Sequence, residues 1–250
     1  MSSTIHPTAI VEENVQLGKN VSVGAFSIIR SGVRIGDSSS IGAYCELGGS
    51  HSRELESEHL VFGANAIIRS HSTFYGGSMF GDNLSTGHRV TVRSGTRAGK
   101  SLQLGTGTDV QGDCVIQDYV RMHSNVHVSM KSIIENYAWL FPGVVLTNDP
   151  RPPSENLVGV KVGEFAVLAA GVIVLPGKIV GRGSLVAAGS VLTRNADEGC
   201  LYYGNPAKNG GPLSQLRSWG ENRPNYPWRY RFHRGYPNQI VDEWMSEISD

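Results

Sequence analysis

Aliphatic residues recur along this chain at every sixth position. From Ile5 the step lands on Val11, Leu17, Val23, Ile29, Ile35, Ile41 and Leu47. A second run goes from Phe62 through Ile68, Phe74, Phe80, Thr86, Val92, Ala98, Leu104, Val110, Ile116, Met122, Val128, Ile134 and Leu140 to Leu146, and a third from Val162 through Leu168, Val174, Val180 and Val186 to Leu192. That makes about 29 hexads, with Thr86 the one polar exception. Four residues after most of these comes a small or β-branched residue, as at Val21, Ser27, Val33, Cys45, Cys114 and Ser190. If the aliphatic residue is position one, positions one and five face inward with a single outward residue between them, the in-out-in pattern of a short β-strand. Positions two to four turn a corner. Position four is Gly, Asn or Asp in more than half of the hexads (Asn20, Gly32, Asn65, Gly107, Asn125, Gly183), residues that tolerate positive φ. A helical period of 3.6 cannot hold a strict six, so the pattern predicts an all-β protein, a parallel β-solenoid.

Two stretches break the phase. Gly48–Val61 is polar and carries His51, Glu54, Glu56, Glu58 and His59; Asn148–Val160 holds three prolines and reads as a stiff excursion. Both are expected to bulge from the coil, the first as a solvated loop, and loops leaving solenoids usually serve the binding face. The repeat gives a body over residues 1–200 and an exit segment with a tail over 201–250. In the tail Ile240, Val241, Trp244 and Ile248 fall at helix spacing, which predicts a packing helix. Trp219, Trp228 and five arginines (Arg217, Arg223, Arg229, Arg231, Arg234) lie nearby, and the aromatics are expected to pack over the helix end or a neighbouring subunit.

Composition narrows the function. The 31 glycines in 250 residues suit a chain of tight corners, and they do not recur every third residue as collagen requires. With 22 basic and 22 acidic side chains the formal charge is zero, which argues against a nucleic-acid or membrane-surface binder. The sequence shows neither an apolar stretch of membrane-spanning length nor the features of a signal peptide, so a soluble, cytoplasmic protein is expected. Three cysteines (Cys45, Cys114, Cys200) fit no disulfide framework and no zinc knuckle, and the first two read as small core residues.

The repeat resembles that of the left-handed parallel β-helix acyltransferases, the hexapeptide-repeat family, over residues 5–197. Left-handedness is implied by the resemblance and not by the spacing. Three hexads per coil would give about ten coils, a prism about 45 to 50 Å long at roughly 4.8 Å per coil. Gly204-Asn-Pro-Ala-Lys208 is similar to the segment with which many of these enzymes leave the helix beside coenzyme A. Arg69-Ser-His-Ser72, Thr86-Gly-His88 with Arg93, and Thr147-Asn-Asp149 resemble segments of the members that acylate amino sugars on nucleotide-sugar precursors.

The resemblance implies transfer of an acetyl or short acyl group from acyl-coenzyme A, a co-substrate, to the amino group of a nucleotide-linked amino sugar, without a metal, in a homotrimer with inter-subunit sites. Such chemistry needs a base, an oxyanion site and a groove for the coenzyme arm. His88 follows a glycine at an outward corner and is the leading base, with Asn148 beside it in the catalytic set. His71, Arg69, Arg93, His123, Asn125 and Asp149 are the acceptor-binding candidates. Small residues on successive coils (Ala170, Gly171, Ala188) leave the backbone open to pantetheine amides. Asn205 belongs to the exit segment, and Arg182 and Lys208 are charges for the coenzyme phosphates. A sugar O-acetyltransferase is the alternative. A γ-class carbonic anhydrase, with zinc on His88, His123 and His127, and a non-enzymatic scaffold are the rivals from other classes.

Overall fold

The computed structural model describes residues 3–49, 59–216 and 225–247. Among these, 29 short strands run from Thr4–Ile5 to Val191–Leu192, and each predicted position-one residue lies in one of them. The strands form three parallel sheets, here called faces A, B and C, visited in turn, so each coil takes one strand from each face. Face A begins with Thr4–Ile5, face B with Ile10–Val11 and face C with Gln16–Leu17. Within a continuous stretch the register pairs residues 18 apart, as Asp109 with His127 and Thr91 with Asp109. The chain is a parallel β-solenoid of about ten coils.

The inward residues of positions one and five make one continuous core from Val21 to Ala207. Phe62, Phe74 and Phe80 fill it in the third and fourth coils, with ring centroids 5.2 to 5.3 Å apart. Inward hydroxyls are satisfied within the stack: Ser27 Oγ donates to the Gly42 carbonyl at 2.7 Å and accepts from the Cys45 amide at 3.0 Å. Thr86, the polar exception, is buried, accepting from the Arg69 amide at 2.9 Å and donating to the Gly87 carbonyl at 2.8 Å. Cys45 and Cys114 are core residues, and burial pushes the Cys114 thiol up to about 11.

Corner conformation follows position and not residue type. Position four takes positive φ at Asn20 (58°) and Gly107 (71°), as the sequence predicts, but also at Phe26 (58°), His71 (63°), Arg89 (54°), Tyr137 (59°) and Phe165 (57°). At position two, a Cβ on Gly87 would collide with the Thr106 amide of the next coil, so glycine there lets the coils approach closely.

Both interruptions leave from the edge between faces B and C, called edge BC. The first separates the face-B strand Glu46–Gly49 from the face-C strand Val61–Phe62, and the second separates Val145–Leu146 from Lys161–Val162. His51, Glu54, Glu56 and Glu58 lie outside the described residues. The breaks are slightly shorter than the sequence suggests, because Leu60 and Val160 are already buried core residues and Val61 begins a strand.

After the last coil the chain adds Cys200–Gly204 to face A and returns antiparallel over Ala207–Pro212. The tail then folds back over its own solenoid. Helix α1 (Asn238–Ser246) packs Ile240, Val241 and Trp244 against Tyr119, Tyr137 and Phe165 on the edge between faces C and A, called edge CA. Arg217, Trp219, Arg223 and Ile248 lie outside the described residues.

Candidate active site

The candidates sort by edge. On the edge between faces A and B, called edge AB, the coils place in ascending order Arg69 and His71, His88, His123 and Asn125, Ala170 and Gly171, and Ala188, with one coil between His88 and His123 and one between Asn125 and Ala170. Gly204 donates its amide to Ser190 Oγ at 3.0 Å, which seats the hairpin tip carrying Asn205 next to this edge. Lys208 lies exposed on the return strand. Arg69, His71, His88, His123 and Asn125 therefore share one line with the donor candidates Ala170, Gly171, Ala188 and Asn205. Arg93, Asn148 and Asp149 occupy edge BC, across face B from that line. Arg182 stands apart on edge CA, where it pairs with Glu164 at 2.8 Å and lies 5.5 Å from the Phe165 ring centroid.

Each residue's partners limit what it can do. His88 is exposed, and its Nδ1 meets Ser70 Oγ at 2.8 Å. The His71 ring stacks on Tyr44 at 5.0 Å. The His123 ring stacks on Phe141 at 4.7 Å, and burial, with Arg121 nearby, holds its pKa below the ordinary histidine value. The Asp149 carboxylate is engaged inside the excursion: it accepts from the Ser154 hydroxyl at 2.7 Å, the Ser154 amide at 2.8 Å and the Arg151 amide at 3.0 Å. Those bonds hold its pKa below the usual carboxylate range. Asn148 ties the root of the excursion, its carbonyl accepting from the Val158 amide at 2.7 Å.

Between the two edges, on face B, lies a pair the corner-based reading passed over. Asp109 and His127 hold the same outward position in adjacent coils, and Asp109 Oδ2 lies 3.1 Å from His127 Nδ1. His127 Nε2 meets Ser129 Oγ at 3.3 Å. The Asp109 carboxyl is held below the usual range, chiefly by its hydrogen bond to His127, with smaller contributions from His127 and Arg93 as charges and from Gln111 as a donor. The carboxylate fixes the imidazole with Nδ1 as donor, which leaves Nε2 with a lone pair. His127 is the described histidine that has a carboxylate partner. Its signal in the sequence is an Asp and a His 18 residues apart at the outward strand position, visible once the coil length is known.

Residues 14–49 match the bacterial transferase hexapeptide family (six repeats), and residues 154–176 match the hexapeptide repeat of succinyl-transferase. Over these two stretches the chain is similar to the hexapeptide-repeat acyltransferases. Over 117 residues, 45% of its length, it is 34% identical to an acyl-(acyl-carrier-protein)–UDP-N-acetylglucosamine O-acyltransferase of Bartonella henselae. Over 66 residues it is 35% identical to a 2,3,4,5-tetrahydropyridine-2,6-dicarboxylate N-acetyltransferase of Staphylococcus aureus. The matched stretches span 40% and 27% of those two relatives. The solved UDP-N-acetylglucosamine acyltransferase from Campylobacter jejuni aligns with 96% of this chain and 81% of its own, at 19% identity and a TM-score of 0.49. Among the described residues no helix is long and apolar enough to cross a membrane.

Proposed function

We propose that the protein transfers an acyl group from a coenzyme A thioester to the amino group of a nucleotide-linked amino sugar, with His127 as the base and Asp109 as the group that orients and charges it. The carrying observation is the Asp109–His127 contact of 3.1 Å on face B, between edge AB, which carries Ala170, Gly171 and Ala188, and edge BC, from which the second excursion leaves. The acceptor nitrogen attacks the thioester carbonyl carbon, and its proton passes to His127 Nε2. The C–S bond breaks, the thiolate takes up a proton and the amide is released. Asp109 stays ionised and stabilises the imidazolium formed on the way.

The relatives support the two halves of the acceptor reading, since one acts on a UDP-linked sugar and the other is an N-acetyltransferase. The first relative's name specifies an acyl carrier protein as donor; the exit segment Gly204–Lys208 favours coenzyme A here. Arg93 and Asn148, flanking face B, are the acceptor contacts in this reading. The working unit is a homotrimer with shared sites, and sedimentation showing a stable monomer at micromolar concentration would overturn that part.

His88 is the second reading of the base, favoured by its exposed ring and its Ser70 partner. Two variants separate the readings when acyl transfer to UDP- and dTDP-amino sugars is followed by thiol release. His127→Ala is expected to lower kcat by roughly a hundred- to ten-thousandfold with acceptor KM little changed. His88→Ala is expected to raise acceptor KM with kcat largely kept. The reverse pattern assigns the proton transfer to His88.

A further inference from the structure

The tail builds a cavity that the proposed chemistry has not used. It has a volume of about 270 Å³ and is walled by Trp139, Phe141, Val167, Tyr226, Trp228 and Phe232. Trp139 and Val167 are outward residues of face A on adjacent coils, at paired register positions. Trp228 and Phe232 come from the tail, with ring centroids 5.7 and 5.3 Å from Trp139. The donors that two tryptophans could offer a ligand are already spent. Trp139 Nε1 donates to the Tyr236 hydroxyl at 2.8 Å, and Trp228 Nε1 donates to the Phe165 carbonyl at 2.9 Å. Apart from the Tyr226 hydroxyl, the described side chains of the wall offer carbon. A nucleobase or a sugar ring would lose its hydrogen bonds to water on entering, whereas a hydrocarbon loses none.

The cavity's place selects which hydrocarbon. Phe141 belongs to both the wall and edge AB, two residues before Gly143. The next coil up carries Ala169–Gly171, and the Gly171 amide donates to the Pro142 carbonyl at 2.9 Å. The cavity thus opens beside the edge that holds the donor candidates, with His123 stacked under Phe141 on the coil below. We infer that it receives the hydrocarbon chain of the transferred acyl group, and that the natural donor is a medium-chain acyl thioester and not an acetyl one. This rests on the acyl-transfer reading above and names its donor class.

The test measures kcat/KM for acetyl, butyryl, hexanoyl and octanoyl thioesters of coenzyme A, and of an acyl carrier protein in a second arm that tells which carrier presents the chain. Each methylene that enters a hydrophobic pocket discriminates by roughly tenfold or more, so octanoyl is expected to exceed acetyl by at least that factor. Val167→Phe, which fills the cavity, should lower the octanoyl-to-acetyl ratio by tenfold or more. Phe232→Leu, a milder change, should alter the same ratio if the filled variant fails to fold. Binding gives a readout that needs no acceptor: octanoyl-coenzyme A should change the protein's tryptophan fluorescence and acetyl-coenzyme A should not, and Trp139→Phe should diminish the change. A preference for acetyl with no octanoyl-specific fluorescence change overturns the inference while leaving acyl transfer intact. A ratio that both variants leave untouched removes the chain from this cavity. Absence of turnover with every donor would count against the proposed function, and the fluorescence titration would still decide the cavity.

Discussion

Two edges of one prism carry aromatic rings at the same corner position, and the tail covers only one of them. On edge AB, Phe26, Tyr44 and His71 stack at 5.1 and 5.0 Å, and Phe26 and Tyr44 are 54% and 53% exposed. On edge CA, Tyr119, Tyr137 and Phe165 stack at 5.4 and 4.9 Å, and Tyr119 and Phe165 are only 8% and 5% exposed beneath Trp228, Tyr236 and Trp244. All six residues have φ between 57° and 63°. A left-handed backbone costs a side chain roughly 1 to 2 kcal/mol, and glycine or asparagine avoids most of it. The aromatic corners meet the cost in another way. The coil rise of about 4.8 Å falls within the distance at which rings attract, and each pair contributes about 0.5 to 1.5 kcal/mol. Stacking therefore offsets part of the cost on the bare ladder, and burial under the tail is a separate contribution on the covered one.

Replacing the rings with glycine tests this division most strongly. In Tyr44→Gly the relieved backbone and the lost stacking nearly cancel, so unfolding stability is expected to change by less than about 1 kcal/mol. Phe165→Gly also empties a buried site, with a loss of about 3 to 5 kcal/mol as for a core phenylalanine. Urea unfolding of the two variants checks the contrast, and equal losses would break the comparison.

A smaller effect is expected at the fastening of the tail. Arg121 lies 4.1 Å from the Tyr236 ring centroid and 4.9 Å from that of Trp139, and it donates to the carbonyls of Arg234 and Gly235 at 3.1 and 2.9 Å. Arg121→Ala should loosen the tail by about 2 kcal/mol, the scale of a hydrogen bond to a charged group, and speed its proteolysis while the bare ladder's coils stay protected.

The smallest effect belongs to face B. The pKa of Asp109 is depressed, so its stabilising contribution is fully present above the unfolded carboxyl value near 4 and is lost as pH falls through the depressed folded value. Wild type should be slightly more stable than Asp109→Asn at neutral pH, and the two should converge in acid. Thermal unfolding measured from pH 7 down to about 2 checks this; a difference that persists in acid would place the aspartate's contribution in packing.

The strands were legible because their signal is local and repeated: a residue at position one is inward wherever it occurs, and even buried Thr86 kept phase. Corners were legible only in part. Gly and Asn announce a left-handed turn, but Phe26, Arg89 and Tyr137 adopt one because the coil imposes it at position four, and single-residue preference carries no such information. The candidate site suffered from a related limit. Reading corners put His88 and His123 on one face and offered Arg182 with Ala170 as donor contacts, yet Arg182 and Ala170 fall on different edges because one coil has three. It considered His127 only as a zinc ligand and passed over its pairing with Asp109, a contact that neither residue announces alone. The helix in the tail was legible from Ile240, Val241 and Trp244, whereas its docking on edge CA depends on contacts from Tyr119 to Trp244 that no spacing rule encodes.

Both interruptions share one edge, and neither has a length that is a multiple of the repeat: fifteen residues separate Leu47 from Phe62 and sixteen separate Leu146 from Val162. The coils on either side nonetheless stay in register, Arg34 pairing with Val61 and Ile133 with Lys161. The solenoid thus decouples the numbering of the chain from its spatial address. Segments of any length can be spliced in at edge BC, each doubling costing only about 0.6 kcal/mol of closure entropy, and chemistry built elsewhere on the prism keeps its alignment.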